Sequence, residues 1–292
     1  MKKIILLTIV LLFIISCGSN SGPQNLDYNF KQGTGQLNVK LVPNAPPELL
    51  YPDSDFKFIV ELDNQAAYDI NDGTIQILGL DPKYFFITPT AENFPNLVGR
   101  SLTAPSGEKI YLDDFNGKTG RLFLGAERYT GSYFLVANYN SKVEFSDTIC
   151  INPNIYEVYN SGCNVKPHST YSGQGAPLAV TSLDEIITPG SNANVELRFL
   201  IQNRGRGQAN IVNFISARLG NEQLTCKFFG SKMPVTAQFT PQEQEATLIC
   251  KKPLRETNAF TTTLFLELSY SYEQRDQYQL VLTDKPRSGM FS

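Results

Sequence analysis

The sequence predicts an all-β protein with two tandem antiparallel β-sandwich domains. Short runs of residues alternate between apolar and polar, and turn-forming Gly, Asn, Asp and Pro separate these runs. Beyond the N-terminal leader, no window has a sustained apolar period of 3.6 residues, so we expect hardly any helix. The chain has 292 residues, which is enough for two domains of ordinary size.

Residues 1–16 have the pattern of a signal peptide. Two lysines precede an apolar stretch of 12 residues from Ile4 to Ile15. A membrane-spanning helix needs roughly 20 apolar residues, so this stretch is too short to span a bilayer comfortably and has the length of a secretory segment.

The end of the leader resembles the lipobox of prokaryotic lipoproteins. Ile14 stands three residues before Cys17, and the small Ser16 stands directly before it. This resemblance implies a diacylglyceryl thioether on Cys17 and an exported protein, anchored to the outer face of a cell membrane or to the outer membrane of a two-membrane cell. Ordinary signal cleavage after Gly18 is the alternative.

The rest of the chain divides at two polar, turn-rich stretches. Residues 17–35 are predicted to be a lipid-anchored tether and residues 164–177 a linker. The first sandwich domain, at 36–163, lies between the tether and the linker, and the second, at 178–284, follows the linker. Residues 285–292 form a C-terminal tail that is either free or a docking strand.

In the first domain, four apolar residues alternate with others along one predicted strand. A second short strand is predicted at GRLFLGAE (120–127), and a hairpin turn at FNGKTG (115–120). A further hairpin is expected within residues 131–151, turning near Asn138–Ser141. The alternating residues of the first strand are Phe56, Phe58, Val60 and Leu62.

The second domain repeats this alternation in two places. One run is Val195, Leu197, Phe199 and Ile201, and it coincides with the first-domain run when Asn203 is set against Asn64. The other run spans residues 264–272 and is predicted to turn through EQRDQ (273–277) and return as a hairpin.

The five cysteines fit an exported protein with a lipid anchor. An odd number leaves one thiol unexplained, and assigning Cys17 to lipid leaves an even set of four. Four cysteines allow three disulfide connectivities, of which local pairing is the simplest: Cys150 with Cys163 and Cys226 with Cys250. A structural zinc site is the competing interpretation, but the chain has no CxxC motif and one histidine.

The segment VELRFLIQNRGRGQA (195–209) resembles the motif of CARDB-type and related immunoglobulin-like domains of bacterial and archaeal surface proteins. In that motif an alternating strand ends in Asn-x-Gly and a small residue follows, matched here by Asn203, Gly205 and Ala209. The first domain keeps Asn64 but has Ala66 in place of the glycine. The resemblance implies immunoglobulin-like sandwiches, in which the glycine permits a positive φ and the asparagine bonds nearby backbone.

No pattern of catalytic residues stands out, so the sequence predicts a protein that is not an enzyme and has no cofactor or metal. The one histidine, His168, falls in the predicted linker, where a solvated side chain is expected rather than a catalytic base. The segment DINDG (69–73) resembles the start of a Ca²⁺ loop, but its oxygen spacing is off by one residue. Turn formation is the favoured interpretation, and a structural Ca²⁺ ion is the alternative.

Charge and aromatic content bear on the partner. The net charge is −3, and it falls to about −5 without the two lysines of the leader, so nucleic acid is not an expected partner. Tyr156 and Tyr159 lie between Cys150 and Cys163, in a loop that a disulfide would hold out as a candidate for recognition; packing of both tyrosines back on the domain is the alternative. We predict a membrane-anchored surface protein that acts in adhesion or protein–protein interaction. The alternatives are a lipoprotein that binds a polysaccharide and a spacer or accessory subunit of an envelope complex.

Overall fold

The computed structural model describes residues 29–154, 162–190 and 193–285. Within these ranges the chain forms strands, turns and irregular segments, and no helix is long and apolar enough to cross a membrane. The predicted signal peptide, Cys17, the pair Tyr156 and Tyr159, and the tail beyond residue 285 lie outside the described residues. The fold is all-β, as the sequence predicts.

The described residues form 17 strands in chain order. They are β1 (Leu37–Leu41), β2 (Leu49–Leu50), β3 (Asp55–Asn64), β4 (Asn71–Leu78), β5 (Phe85–Thr88), β6 (Ala91–Phe94), β7 (Lys109–Thr119), β8 (Arg128–Ile151), β9 (His168–Thr170), β10 (Leu178–Thr188), β11 (Asn194–Asn203), β12 (Gln208–Leu219), β13 (Glu222–Gln223), β14 (Thr225–Phe228), β15 (Thr236–Gln238), β16 (Glu245–Pro253) and β17 (Phe260–Thr283).

The two halves of the chain, residues 29–154 and 162–285, have the same strand order. The first half has a sheet of order β1-β3-β7-β5, and the second half has β14-β16-β11-β10 with β9 added at the edge. These orders correspond to the A-B-E-D sheet of an immunoglobulin-like sandwich. The B and E strands are β3 and β7 in the first half, and β11 and β16 in the second. The next strand after each of them belongs to the opposing sheet: β4 and β8 are the C and F strands of the first half, and β12 and β17 are those of the second.

The opposing sheets of the two halves are one continuous sheet of eight strands. Six of them have the order β13-β12-β17-β8-β4-β6, and the other two lie off this path, β15 paired with β12 and β2 paired with β17. Its centre is the antiparallel pair β8 and β17, which are each 24 residues long and paired along their whole length, from Phe260 opposite Ile151 to Thr283 opposite Arg128. Each of these strands is therefore the F strand of its own half and occupies the place of the G strand in the other half.

The two predicted hairpins, near Asn138–Ser141 and at residues 273–277, are wrong because both segments continue straight. The buried face of β8 keeps its period of two across the expected turn, through Ala137, Tyr139 and Ser141. Neither segment contains Gly or Pro, which favour a tight reversal of the chain. A straight strand keeps its apolar face on both cores, one after the other.

Two smaller predictions are also corrected. Residues 115–119 of the predicted FNGKTG turn belong to β7, while residues 120–127, predicted as a strand, form a loop. The predicted linker at 164–177 contains β9, which pairs with β10, and buries Gln174 and Ala176. The domain boundaries themselves stay a prediction.

The core follows the alternation that the sequence shows. The first-half run Phe56, Phe58, Val60 and Leu62 and the second-half run Val195, Leu197, Phe199 and Ile201 are all buried. Burial of each such side chain contributes about 1.5–3 kcal/mol. Aromatic contacts join the layers. The rings of Phe58 and Tyr133 are 5.4 Å apart in the core of the first half. Phe145, on the part of β8 that serves the second half, has its ring 5.8 Å from that of Phe199.

Both predicted disulfide pairings are present in the structure. Cys226 lies directly opposite Cys250 on the neighbouring strands β14 and β16. Cys150, near the end of β8, bonds Cys163 and closes a loop over a sequence separation of 13 residues. Tyr156 and Tyr159 fall within that loop but outside the described residues.

Candidate functional site

Two asparagine turns end the B strands of the two halves. At the end of β3, the fully buried Asn64 accepts a hydrogen bond from the backbone N–H of Ala66 at 3.0 Å. Its amide nitrogen donates to the carbonyls of Tyr68 at 3.0 Å and Leu97 at 3.1 Å. The side chain thereby satisfies three backbone groups where the strand ends.

The turn at the end of β11 has the same pattern. Asn203 accepts from the N–H of Gly205 at 3.0 Å and donates to the carbonyl of Gly207 at 2.7 Å. Each asparagine thus accepts from the residue two positions on and donates to the residue four positions on. In the second half the hydroxyl of Tyr272 adds a bond to Asn203 Oδ1 and accepts from the N–H of Gly207. Burial raises the pKa of the Tyr272 phenol to about 12, so this hydroxyl stays protonated at neutral pH.

Gly205 is needed for close packing, and the expected positive φ is wrong because Gly205 is not among the residues in the left-handed region. A Cβ added to Gly205 would lie 2.3 Å from the Tyr272 hydroxyl and 2.6 Å from Cβ of Pro177. Ala209 is fully buried opposite Tyr272 in the β12–β17 ladder, which leaves no room for a larger side chain.

The two asparagine turns meet at the entrance to β1. The carbonyl of Gln36 accepts from the N–H of Gln65 at 3.1 Å, and its side-chain oxygen accepts from the N–H of Arg206 at 2.9 Å. Gly35 is tight against this joint, because an added Cβ would lie 2.3 Å from the carbonyl of Gln65. Gln36, which directly precedes β1, therefore bonds both asparagine turns.

A hollow of about 340 Å³ opens at this joint, and we call it the arginine groove. Three arginines line it: Arg204 and Arg206 belong to the second half's turn, and Arg100, which comes after β6, bonds Ala66 of the first half's turn through its N–H. The remaining lining is polar or glycine, namely Thr34, Gly35, Gln36, Asn38 and Gln65. No carboxylate of the described residues lines the arginine groove.

A second hollow, of about 790 Å³, lies on the second half, and we call it the apolar groove. Phe229 and Met233, which are 74% and 51% exposed, line it together with Leu200 of β11 and Ala246 of β16. The rim carries Lys232, Glu243 and Glu245. Large exposed apolar side chains rimmed by charges are typical of protein interaction sites.

A third exposed apolar feature is the loop at residues 120–127 at the far end of the first half. Leu124 is 96% exposed and Phe123 is 66% exposed. The ammonium group of Lys83 lies 5.3 Å from the Phe123 ring centre and 5.6 Å from that of Tyr84. The aromatic run at residues 83–87 therefore contributes to this tip.

Titratable side chains are dispersed, as far as the described parts of the chain show. No three His, Cys, Asp or Glu side chains there form a group that could hold a metal ion. His168 is exposed on β9 with Nδ1 2.6 Å from Asp184. In the predicted Ca²⁺-like segment, Asp69 accepts from the N–H of Gly99 at 2.8 Å.

Among the described residues, Glu185 is the one carboxyl group with a clearly raised pKa. It is 6% exposed, it lies in a hollow of about 220 Å³ beside the Cys150–Cys163 disulfide, and its Oε1 has no hydrogen-bond partner among the described atoms. Burial raises the pKa of this carboxyl to about 7. His168, Asp69 and Glu185, as described above, do not form a pair of a nucleophile and a base.

Comparison with known proteins identifies no family. No family model matches the chain, and no curated protein matches it. Among solved structures, the Salmonella enterica SafA pilin in complex with the SafB chaperone is 12% identical and covers 75% of this chain and 86% of that one, with a TM-score of 0.21. The E. coli chaperone DraB is 12% identical and covers 76% and 86%, with a TM-score of 0.20. Scores this low give no information about function, and the resemblance to CARDB-type domains stays a prediction.

Proposed function

We propose that this protein is a non-catalytic, lipid-anchored surface protein that binds another surface protein through the apolar groove. The observation that carries the proposal is the exposure of Phe229 and Met233 over a hollow of about 790 Å³. The fold gains little from large apolar side chains left in water, whereas a partner would gain about 25 cal/mol for each Å² of apolar surface covered.

The charges of the apolar groove indicate the chemistry of the partner. Two carboxylates, Glu243 and Glu245, and one ammonium group, Lys232, stand on the rim. Glu245 also accepts a hydrogen bond from Gln202 at 2.7 Å, which holds it in place. A partner segment with one or two apolar anchors and an adjacent basic residue complements this surface.

Display on a surface is supported by the sequence and by the disulfides. Disulfides persist in oxidising compartments, and the structure has two. The lipobox-like residues before Cys17 supply the proposed anchor. Mass spectrometry of the N-terminal peptide tests this part: a diacylglyceryl group on Cys17 is expected, and an unmodified N-terminus after Gly18 would contradict it.

Photo-crosslinking on intact cells tests the binding surface. A photoreactive residue at position 233 is expected to capture one recurrent protein, and Phe229→Ser in the same chain is expected to reduce the yield at least tenfold. Leu124→Ser is the matched control, because it removes another strongly exposed apolar side chain, 96% exposed against 74% for Phe229, from the other half of the chain.

The control decides between the two exposed surfaces. Crosslinks lost in Leu124→Ser and retained in Phe229→Ser would place the partner on the tip at residues 120–127 and overturn the role of the apolar groove. No protein crosslink at position 233, with the chain displayed and folded, would also overturn the proposal.

A further inference from the structure

We propose that the arginine groove is a binding site for a carboxylated sugar residue of an acidic glycan. The site differs from the apolar groove, and no residue is shared between them.

The first support is the absence of counter-charges on three arginines that share one hollow. No ion pair among the described residues includes Arg100, Arg204 or Arg206. Arg121, Arg198 and Arg275 each pair with a carboxylate, at 2.7, 2.7 and 3.3 Å. Arg128, Arg218 and Arg255 also have no ion pair among the described residues, but only Arg100, Arg204 and Arg206 share the lining of one described hollow. Three unpaired cations in one hollow repel each other, and they are found together in a protein whose net charge is −3. An oxyanion between them removes this repulsion.

The second support is the state of Arg100. Its Nε is buried without a hydrogen-bond partner in the described structure. Its backbone is fixed, because the N–H donates to the carbonyl of Ala66 at 2.8 Å. Arg100 as a whole is half-buried and lines the arginine groove, and planar guanidinium groups bind carboxylates through two parallel hydrogen bonds.

The third support is the way the fold holds the groove open. Arg204 is tied by its N–H to the carbonyl of Pro177 at 2.7 Å, and Arg206 by its N–H to Gln36. The asparagine turns thus fix the backbones from which all three side chains extend. Little conformational entropy remains to be lost by the backbone when a ligand binds.

The polar lining selects a hydroxyl-rich ligand over an apolar acid. Thr34, Asn38 and Gln65 supply hydroxyl and amide groups that donate to and accept from sugar hydroxyls. The volume of about 340 Å³ is at the small end of ligand sites, which run from about 300 to 1,000 Å³, so one or two sugar residues fit.

Isothermal titration calorimetry on the full chain tests the proposal with three probes: oligogalacturonate, the neutral oligogalactose of equal length, and inorganic phosphate. Binding of oligogalacturonate is expected, with weakening as NaCl rises because the interaction is between charges. Arg204→Gln and Arg206→Gln are expected to weaken it about tenfold each, and Arg204→Lys by less, since the charge remains and the paired hydrogen bonds are lost. Arg121→Gln is the control, because Arg121 pairs with Asp53 at the opposite end of β3.

Each other outcome overturns the proposal in a distinct way. Equal binding of the acidic and neutral oligomers would remove the role of the carboxylate. Binding of phosphate without oligogalacturonate would make the arginine groove a site for a free anion instead of a glycan. Native affinity in both exposed-arginine variants, Arg204→Gln and Arg206→Gln, would show that the sugar binds elsewhere. None of these results depends on the apolar groove.

Discussion

Replacement of Asn64 tests the idea that the asparagine turns are stability elements of the two halves. Asn64→Ala removes two donated bonds, to Tyr68 and Leu97, and one accepted bond, from Ala66. A neutral hydrogen bond contributes about 1 kcal/mol net, and buried groups left unpaired cost more, so we expect a loss of about 2–4 kcal/mol. The carbonyl of Leu97 keeps a bond from the N–H of Ile70, which limits the loss at that group.

Guanidinium unfolding followed by far-ultraviolet circular dichroism measures this loss. Asn64→Asp is a second variant: it keeps the acceptor for Ala66 but sets a carboxylate against two carbonyl oxygens, so we expect it to be the less stable of the two. Asn96→Ala is the control, because Asn96 is exposed and the change should stay within about 0.5 kcal/mol. A loss in Asn64→Ala no larger than in the control would refute the reasoning.

Three further changes test the packing, the disulfide and the buried carboxyl. Gly205→Ala should cost about 1–3 kcal/mol in the same unfolding assay, because the new Cβ would crowd the Tyr272 hydroxyl; an unchanged midpoint would contradict this. Cys226→Ala with Cys250→Ala opens a loop with a sequence separation of 24 residues and should lower stability by about 3 kcal/mol, seen as a lower melting temperature; the same melting temperature with and without the bond would argue against it. Burial raises the pKa of Glu185 to about 7 in the folded protein, above the ordinary 4.5, so the folded state holds this proton more tightly than the unfolded state. The stabilisation that is present below pH 4.5 is therefore lost as the pH rises through 7. Glu185→Gln should flatten the fall in melting temperature between pH 5 and 8, and an unaltered slope would count against the raised pKa.

Local alternation was sufficient to predict the strands and their buried faces. Phe56 and Phe199 face the two cores because a period of two puts one face of each strand inside. The cysteine pairs followed from short separations that leave each pair within one half. The ends of the long strands cannot be predicted in this way, because the asparagines and serine at 138–141 favour a turn although the alternation continues through them.

The candidate sites were harder to predict, because they depend on contacts between distant parts of the chain. Arg204 and Arg206 stand in the NRGRGQ segment, where charged residues beside glycines read as an exposed turn. Arg100 joins them through contacts between distant parts of the chain, among them the bonds from Gln36 to both asparagine turns. The exposure of Phe229 was likewise not visible from its sequence, since a phenylalanine next to the buried Phe228 has the composition of a core segment.

The shared pair of long strands has a consequence for how the chain is made. The first half lacks its last strand until residues 272–283 of β17 have been synthesised and exported, more than 120 residues after β8. Until then the edge of β8 is open, and an open edge pairs readily with other chains. Pairings this far apart in sequence also form slowly, because a long loop must close first. The two halves are therefore expected to complete their folding together, once β17 is available, and a chain interrupted between them would leave an open strand edge on β8.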